Sequence, residues 1–117
     1  MARILVAEDD DLTRYLLQLT LEQHGHTVDT VSNGREAIQT VIANPPDLIM
    51  LDLIMPGLDG MDVIRTVRDV PEYEAIRIIV VTGTATPENF PETTEADLVL
   101  HKPIPIDELV EQIEGLL

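Results

Sequence analysis

The chain has 117 residues, 44% of them hydrophobic, which is enough for one domain with one hydrophobic core. Its 22 acidic and 7 basic residues give a net charge of −15, which argues against nucleic acid or an anionic membrane as a direct partner. Without cysteine, disulfides and thiolate metal sites are excluded, and no apolar run approaches the length of a membrane span. We therefore expect a single cytoplasmic domain over residues 1–117.

The first elements predicted along the chain are a strand, a helix and a second strand. The apolar run Ile4–Ala7 is typical of a strand buried on both faces of a parallel sheet. A helical apolar stripe follows, with Gly25 placed to end the helix; the stripe consists of Leu12, Leu16 and Leu19. Thr27–Val31 alternates polar and apolar residues, which predicts a half-exposed edge strand.

The middle of the chain repeats the pattern with two helices around a strand. The first of these helices begins after Ser32 or Asn33 as a cap and ends before Pro45; its stripe is Ala37, Ile38, Val41 and Ile42. The apolar run Leu48–Leu51 predicts another buried strand. The stripe of the next helix is Met61, Ile64 and Val67.

The last part of the chain contains two predicted strands, Ile78–Val81 and Leu98–Leu100, and a final helix. The stripe of that helix is Leu109, Val110, Ile113 and Leu116. Between the two strands, Pro91 lies four residues after Pro87 and would interrupt a helix that began there. We predict an irregular or shortened fourth helix in this segment. Strict alternation of strands and helices elsewhere predicts an α/β fold, with a parallel sheet covered by helices on both faces.

Polar side chains follow four of the predicted strands. Glu8, Asp9 and Asp10 come after the first, Asp52 after the third, Thr82 after the fourth, and Lys102 after the last. In an open parallel sheet these strand ends meet at one edge. Clustered carboxylates repel one another unless a cation lies among them, and oxygen ligands favour magnesium or calcium. A metal, an amine and a hydroxyl around one aspartate suit phosphoryl transfer to a carboxylate.

Taken together, these motifs resemble the signature of response-regulator receiver domains, and the resemblance covers nearly the whole chain. The matching residues are Glu8-Asp9, Asp52 within LDLIMPGLDG, Thr82-Gly83 and Lys102-Pro103. The resemblance implies a single flavodoxin-like, doubly wound sheet of five parallel strands in the order 2-1-3-4-5. It also implies a switch that accepts a phosphoryl group on Asp52, with Mg²⁺, from a histidine kinase or a phosphotransfer protein.

By the same resemblance, Asp9 binds Mg²⁺ directly and Glu8 binds it through water. Asp52 and the main-chain carbonyl of Ile54 are further ligands. Lys102 pairs with the phosphoryl group, and Thr82 hydrogen-bonds to it in the active state. Asp10 is interpreted as a helix cap rather than a site residue.

Two features depart from the family pattern. Receivers commonly carry an aromatic residue three positions before the lysine, whose inward turn reports phosphorylation, but here that position is Val99. The stretch from Thr82 to Lys102 is also shorter than is usual. The chemistry is therefore expected to be intact, whereas the way the signal leaves the site must differ.

Other functions fit less well. A degenerate receiver that binds partners without phosphorylation is the main alternative, although retention of Asp52 and Lys102 argues against it. A phosphatase would need an acid two residues after Asp52, where Ile54 stands, so we expect no enzymatic activity beyond self-phosphorylation and its hydrolysis. With Ile54 and Thr84 poorly suited to orient water, the phosphorylated form should be long-lived. His24, His26 and His101 are too dispersed for a metal site.

Overall fold

The computed structural model describes residues 2–52, 60–83 and 95–117. Its five strands are β1 (Arg3–Ala7), β2 (Thr27–Val31), β3 (Leu48–Asp52), β4 (Arg77–Thr82) and β5 (Leu98–His101). Four α-helices alternate with them: α1 (Asp11–Gln23), α2 (Gly34–Ala43), α3 (Gly60–Asp69) and α4 (Ile106–Leu116). A short 3₁₀ helix, Pro71–Tyr73, lies before β4. The segment of the predicted irregular or shortened fourth helix, residues 84–96, lies outside the described residues except for Glu95 and Ala96.

All strand pairs are parallel, and their order across the sheet is β2-β1-β3-β4-β5. This confirms the predicted order 2-1-3-4-5. β1 and β3 lie inside the sheet, and their apolar runs are buried as continuous runs should be. β2 is an edge strand as expected, but its burial does not alternate along the strand. Val28 and Val31 are buried in opposite core clusters, and the half-buried Asp29 and Thr30 lie between them. β5 is the other edge strand and is only half-buried, because it has a described neighbour on one side alone.

Side chains of the sheet alternate between two core clusters. One cluster packs against α2 and α3 and includes Leu5, Ile49 and Val80. The other packs against α1 and α4 and includes Val6 and Met50. Because successive strand residues point to opposite faces, the sheet contributes side chains to both clusters. Because the strands are parallel, their carboxyl ends lie at the same edge of the sheet.

Helix α1 uses a different apolar face from the predicted one. Its buried leucines are Leu17 and Leu21, whereas Leu12, Leu16 and Leu19 are 65%, 37% and 40% exposed. The helix carries two leucine stripes, and both have helical spacing, so the spacing could not select between them. Packing against the sheet selects Leu17 and Leu21, and the predicted stripe faces outward.

The helix caps follow the predicted residue types. Asp10 accepts a hydrogen bond from the Thr13 backbone N–H at 2.8 Å and so caps α1. These bonds from Thr13, through its side chain and its backbone, hold the pKa of Asp10 below its usual range. Asn33 caps α2 by accepting from Glu36 N–H. Gly25 follows α1 with φ of 92°, a conformation that favours glycine.

A candidate phosphoryl-acceptor site at the carboxyl edge of the sheet

Glu8, Asp9 and Asp52 form a carboxylate cluster where β1 and β3 end. One oxygen from each side chain lies within 4.8 Å of the other two. The Glu8 residue is fully buried, Asp52 is 6% exposed, and Asp9 is exposed. Burial of this kind is costly for carboxylates without a compensating cation, so the cluster favours a bound cation.

Lys102 supplies one positive charge to this cluster from the end of β5. Its Nζ lies 3.1 Å from Glu8 Oε1 and 3.1 Å from Asp52 Oδ2. Burial lowers the pKa of the Lys102 ammonium, but hydrogen bonds to the two carboxylates outweigh this effect and leave that pKa above its usual value. Lys102 is therefore a cation at neutral pH, shared between two carboxyl groups. The Lys102–Pro103 peptide bond is cis.

Glu8 is held from every side. Lys102 contacts Oε1, and the Asp10 backbone N–H donates to Oε2 at 3.3 Å. The Glu8 N–H donates to the Val31 carbonyl, and Arg14 donates to the Glu8 carbonyl at 2.9 Å. The contributions of Arg14 and of the Asp10 amide were missed at the sequence level. A helical arginine six residues after Glu8 was the one signal that could have revealed the first of them.

The protonation of Glu8 reflects the excess of negative charge. Burial raises the pKa of Glu8 to about 7, a hydrogen bond and repulsion from Asp52 act in the same direction, and Lys102 opposes them. Near neutral pH the metal-free cluster therefore takes up a proton readily. A divalent cation would replace that proton, because cation binding favours the ionised carboxylates.

The oxygen donors of this cluster fit Mg²⁺. Three carboxylates offer hard ligands, and neither sulfur nor imidazole belongs to the set. Glu8, Asp9 and Asp52 would hold the ion. The Ile54 carbonyl, the other predicted ligand, lies outside the described residues.

Thr82 ends β4 beside this cluster and is 1% exposed. The Lys102 backbone N–H donates to the Thr82 carbonyl at 2.8 Å, so β4 and β5 stay paired up to the edge. The structure thus brings Glu8, Asp9, Asp52, Thr82 and Lys102 to one edge, as predicted. Their functional roles stay predictions.

A largely apolar cavity of about 580 Å³ adjoins the cluster between α1 and the segment that leads into α4. Glu8 and Lys102 line its polar end, and Leu12, Leu16 and Ile104 line its apolar part. The exposed apolar side chain of Tyr15, 59% accessible, extends this surface along α1. An exposed patch of this kind next to a reactive site is typical of a protein contact surface.

Comparison with known proteins agrees with this geometry. The family model of the response regulator receiver domain matches residues 4–114. The chain belongs to the receiver-domain family. Protein PilH of Pseudomonas aeruginosa is 33% identical over 119 residues, with 100% of this chain and 98% of PilH covered. TcrA of Mycobacterium tuberculosis, a transcriptional regulatory protein, is 35% identical over 114 residues.

The match to TcrA covers 97% of this receiver domain but only 45% of TcrA, so the chain spans about half the length of several relatives. Among solved structures, TrrA of Thermotoga maritima, in complex with Mg(2+)-BeF, has a TM-score of 0.88 and 33% identity, with 100% of both chains covered. CheY4 of Vibrio cholerae has a TM-score of 0.91 and 28% identity, with 100% of this chain and 99% of CheY4 covered. These likenesses support the flavodoxin-like fold of this receiver domain.

In the described residues of this receiver domain, no helix combines the length and the apolar character that crossing a membrane requires.

Proposed function

We propose that this receiver domain is a phosphorylation switch in which Asp52 accepts a phosphoryl group from a phosphohistidine. The observation that carries the proposal is the pairing of Asp52 with Lys102 at 3.1 Å within a cluster of three carboxylates. The cluster offers a nucleophilic carboxylate, a cation for the phosphoryl oxygens and oxygen ligands for a metal ion. Charge neutralisation and positioning are what phosphoryl transfer requires.

In the proposed transfer, an Asp52 carboxylate oxygen attacks phosphorus, a P–O bond forms and the P–N bond to the donor imidazole breaks. The departing imidazole takes up a proton. Lys102 holds the incoming phosphoryl oxygens, and Thr82, at the adjacent strand end, donates to one of them. Mg²⁺, held by Glu8, Asp9 and Asp52, would further neutralise the phosphoryl charge. Hydrolysis by water later restores the Asp52 carboxylate and releases phosphate, so the domain undergoes one self-directed turnover rather than enzymatic catalysis.

A protein that donates the phosphoryl group must contact the surface around Asp52. An apolar surface beside Asp52 therefore supports a histidine kinase or a phosphotransfer protein as the partner. The apolar side chains of Leu12, Tyr15 and Leu16 beside the site offer such a surface. Leu12→Ala with Tyr15→Ala should slow transfer from a phosphorylated protein donor and leave transfer from acetyl phosphate unchanged. Equal slowing of both reactions would contradict this role. A cytoplasmic location also stays a prediction.

The test of the proposed function is the intact mass after incubation with acetyl phosphate and Mg²⁺. We expect one phosphoryl addition, which is absent in Asp52→Ala and in samples with EDTA. Asp29→Ala is a matched control, because Asp29 lies on β2, away from the site, and forms an ion pair of 3.1 Å with Arg3 of β1. Absence of any addition to the folded wild-type protein would favour the phosphorylation-independent binding module instead.

The lifetime of the adduct tests a finer expectation. Ile54 and Thr84, on which that expectation depends, lie outside the described residues. We expect the phosphorylated form to persist well beyond seconds at neutral pH, because isoleucine and threonine are residue types poorly suited to orient an attacking water. Following the intact mass after removal of acetyl phosphate measures this lifetime, and loss of the adduct within seconds would contradict the prediction.

A further inference from the structure

The end of β5 carries a histidine next to the candidate site that no sequence motif assigned. His101 is aligned with Thr82 in the parallel register of β4 and β5. The bond from the Lys102 N–H to the Thr82 carbonyl shows that this pairing continues one residue beyond His101. The faces of β5 are therefore defined up to the edge of the sheet.

Alternation along β5 separates His101 from Lys102. Leu98 and Leu100 pack against the cluster beside α1 and α4, and Lys102 continues that side. Val99 packs against the cluster beside α2 and α3, and His101 continues that other side.

The same alternation places Thr82 on the His101 side. On β4, Ile78 and Val80 belong to the cluster that Val99 joins, and Thr82 is the next residue on their face. Adjacent strands lie about 4.8 Å apart, so side chains that are aligned on one face are neighbours. His101 is thus the β5 side chain nearest to the buried hydroxyl of Thr82 on that face.

Val99 and His101 differ in their capacity to change conformation. Val99 is β-branched and half-buried against the core, which leaves it a restricted χ1 and no polar atom. His101 is exposed, and its ring has two nitrogens that can donate or accept. The other two histidines are bound to Glu114.

We propose that His101 is the β5 residue that responds to phosphorylation of Asp52 through Thr82, in place of an aromatic side chain at Val99. The inference rests on the proposed function of Asp52. A phosphoryl group adds about 1.5 to 2 negative charges at neutral pH. It attracts the Thr82 hydroxyl as a donor, which moves the side chain aligned with His101, and an imidazole N–H of His101 turns toward the added negative charge.

Imidazole NMR signals of the three histidines test this response directly. Spectra are recorded before and after addition of acetyl phosphate and Mg²⁺, and intact mass is measured on the same sample. We expect the His101 ring signals to shift in proportion to the phosphorylated fraction. His24 and His26 are internal controls, because they contact Glu114 at the opposite edge of the sheet, and their signals should shift less.

Two matched variants separate a response through His101 from one through Val99. In His101→Ala, the phosphorylation-induced shifts of the backbone amides of Leu98 to Leu100 should fall at least twofold. In Val99→Ala they should be retained, and His101→Phe, which keeps a planar ring, should restore part of them.

Three results would overturn the inference. Unchanged His101 signals in a sample shown by mass to be phosphorylated would exclude its response. Loss of the β5 amide shifts in Val99→Ala but not in His101→Ala would assign the response to Val99. Absence of a mass addition to folded protein would overturn the proposed function and this inference together, whereas the first two results leave the proposed function intact.

Discussion

Two polar clusters lie at opposite edges of the same sheet and differ in how their carboxylates are compensated. The carboxyl-edge cluster consists of Glu8, Asp9, Asp52 and Lys102. The amino-edge cluster consists of His24, His26 and Glu114. Both join elements far apart in the chain, but only the first contains more acids than bases.

In the amino-edge cluster, one carboxylate has two imidazole partners. His24 Nδ1 lies 3.0 Å from Glu114 Oε1, and His26 Nε2 lies 3.0 Å from Glu114 Oε2. The Ala2 backbone N–H donates to His26 Nδ1 at 3.2 Å, so the neutral ring carries its proton on Nε2 and donates it to Glu114. The hydrogen bond from His26, aided by that from His24, holds the pKa of Glu114 below its usual range.

The carboxyl-edge cluster shows the reverse behaviour, because burial and Asp52 raise the pKa of Glu8 to about 7. The difference teaches that the chain leaves negative charge uncompensated at the one edge where a cation and a phosphoryl group are proposed to bind. At the other edge, both oxygens of Glu114 are hydrogen-bonded to imidazoles of the protein itself, and these bonds fasten the end of α4 to the turn before β2. The first cluster is suited to a ligand and the second to stability.

Magnesium should reveal the largest difference between the clusters. At a Mg²⁺ concentration 100 times the dissociation constant, the unfolding free energy should rise by about 2.7 kcal/mol. The increment at the same Mg²⁺ concentration should shrink in Asp52→Asn, which loses a ligand charge, and should persist in Glu114→Gln. Urea unfolding with and without Mg²⁺, monitored by circular dichroism, measures this increment in the unfolding free energy. An equal increment in Asp52→Asn would contradict the proposed site.

Glu8→Gln should stabilise the metal-free protein, because it removes a negative charge from the carboxyl-edge cluster. The folded-state pKa of Glu8, about 7, exceeds its usual 4.5, so the folded form binds the extra proton and wild-type stability declines from about pH 4.5 to 7. The variant lacks this decline. At pH 8 with EDTA it should be more stable by about 1–2 kcal/mol, since one pKa unit corresponds to about 1.4 kcal/mol and Lys102 loses one charged partner.

The stability difference between Glu8→Gln and wild type should therefore grow with pH up to about 7 and then level off. Denaturant unfolding at several pH values measures it. A difference that is constant with pH would show that Glu8 titrates normally.

Glu114→Gln should have the opposite sign, with a small loss of stability at neutral pH from weakened hydrogen bonds at a partly exposed site. Because the folded-state pKa of Glu114 is lowered, its contribution is present above about pH 4.5 and is lost as pH falls through the folded-state value. The same unfolding series, referenced to wild type, tests this. Stabilisation by Glu114→Gln would remove the contrast between the two clusters.

His24 and His26 should contribute unequally to the stability of the fold, and this difference is the smallest of the expected effects. The His26 side chain is 8% exposed and that of His24 is 45% exposed. We expect His26→Gln to cost about 1 kcal/mol and His24→Gln less than about 0.5 kcal/mol, because solvent replaces a lost bond more readily at the exposed position. Thermal unfolding of the two variants side by side decides this, and a larger loss in His24→Gln would contradict it.

Strand positions and the identity of the candidate site could be predicted from the sequence because they depend on local patterns. Continuous apolar runs marked β1, β3 and β4, and the mixture of polar and apolar residues in Thr27–Val31 marked an edge strand. Parallel strands align their carboxyl ends, so Glu8, Asp52 and Lys102 were predicted to meet before any distance was known. The same physical rule brought Thr82 to that edge.

Only the tertiary structure decided which apolar face of α1 is buried and which polar groups pair across the chain. Leu16 and Leu17 are adjacent and equally apolar, and packing on the sheet alone distinguishes them. Glu114 lies 88 residues from His26 in sequence, so no local pattern could reveal their bond. Helix and strand periodicity depends on backbone geometry, so it can be read from neighbouring residues. Burial and ion pairing depend on which surfaces meet after the chain has folded.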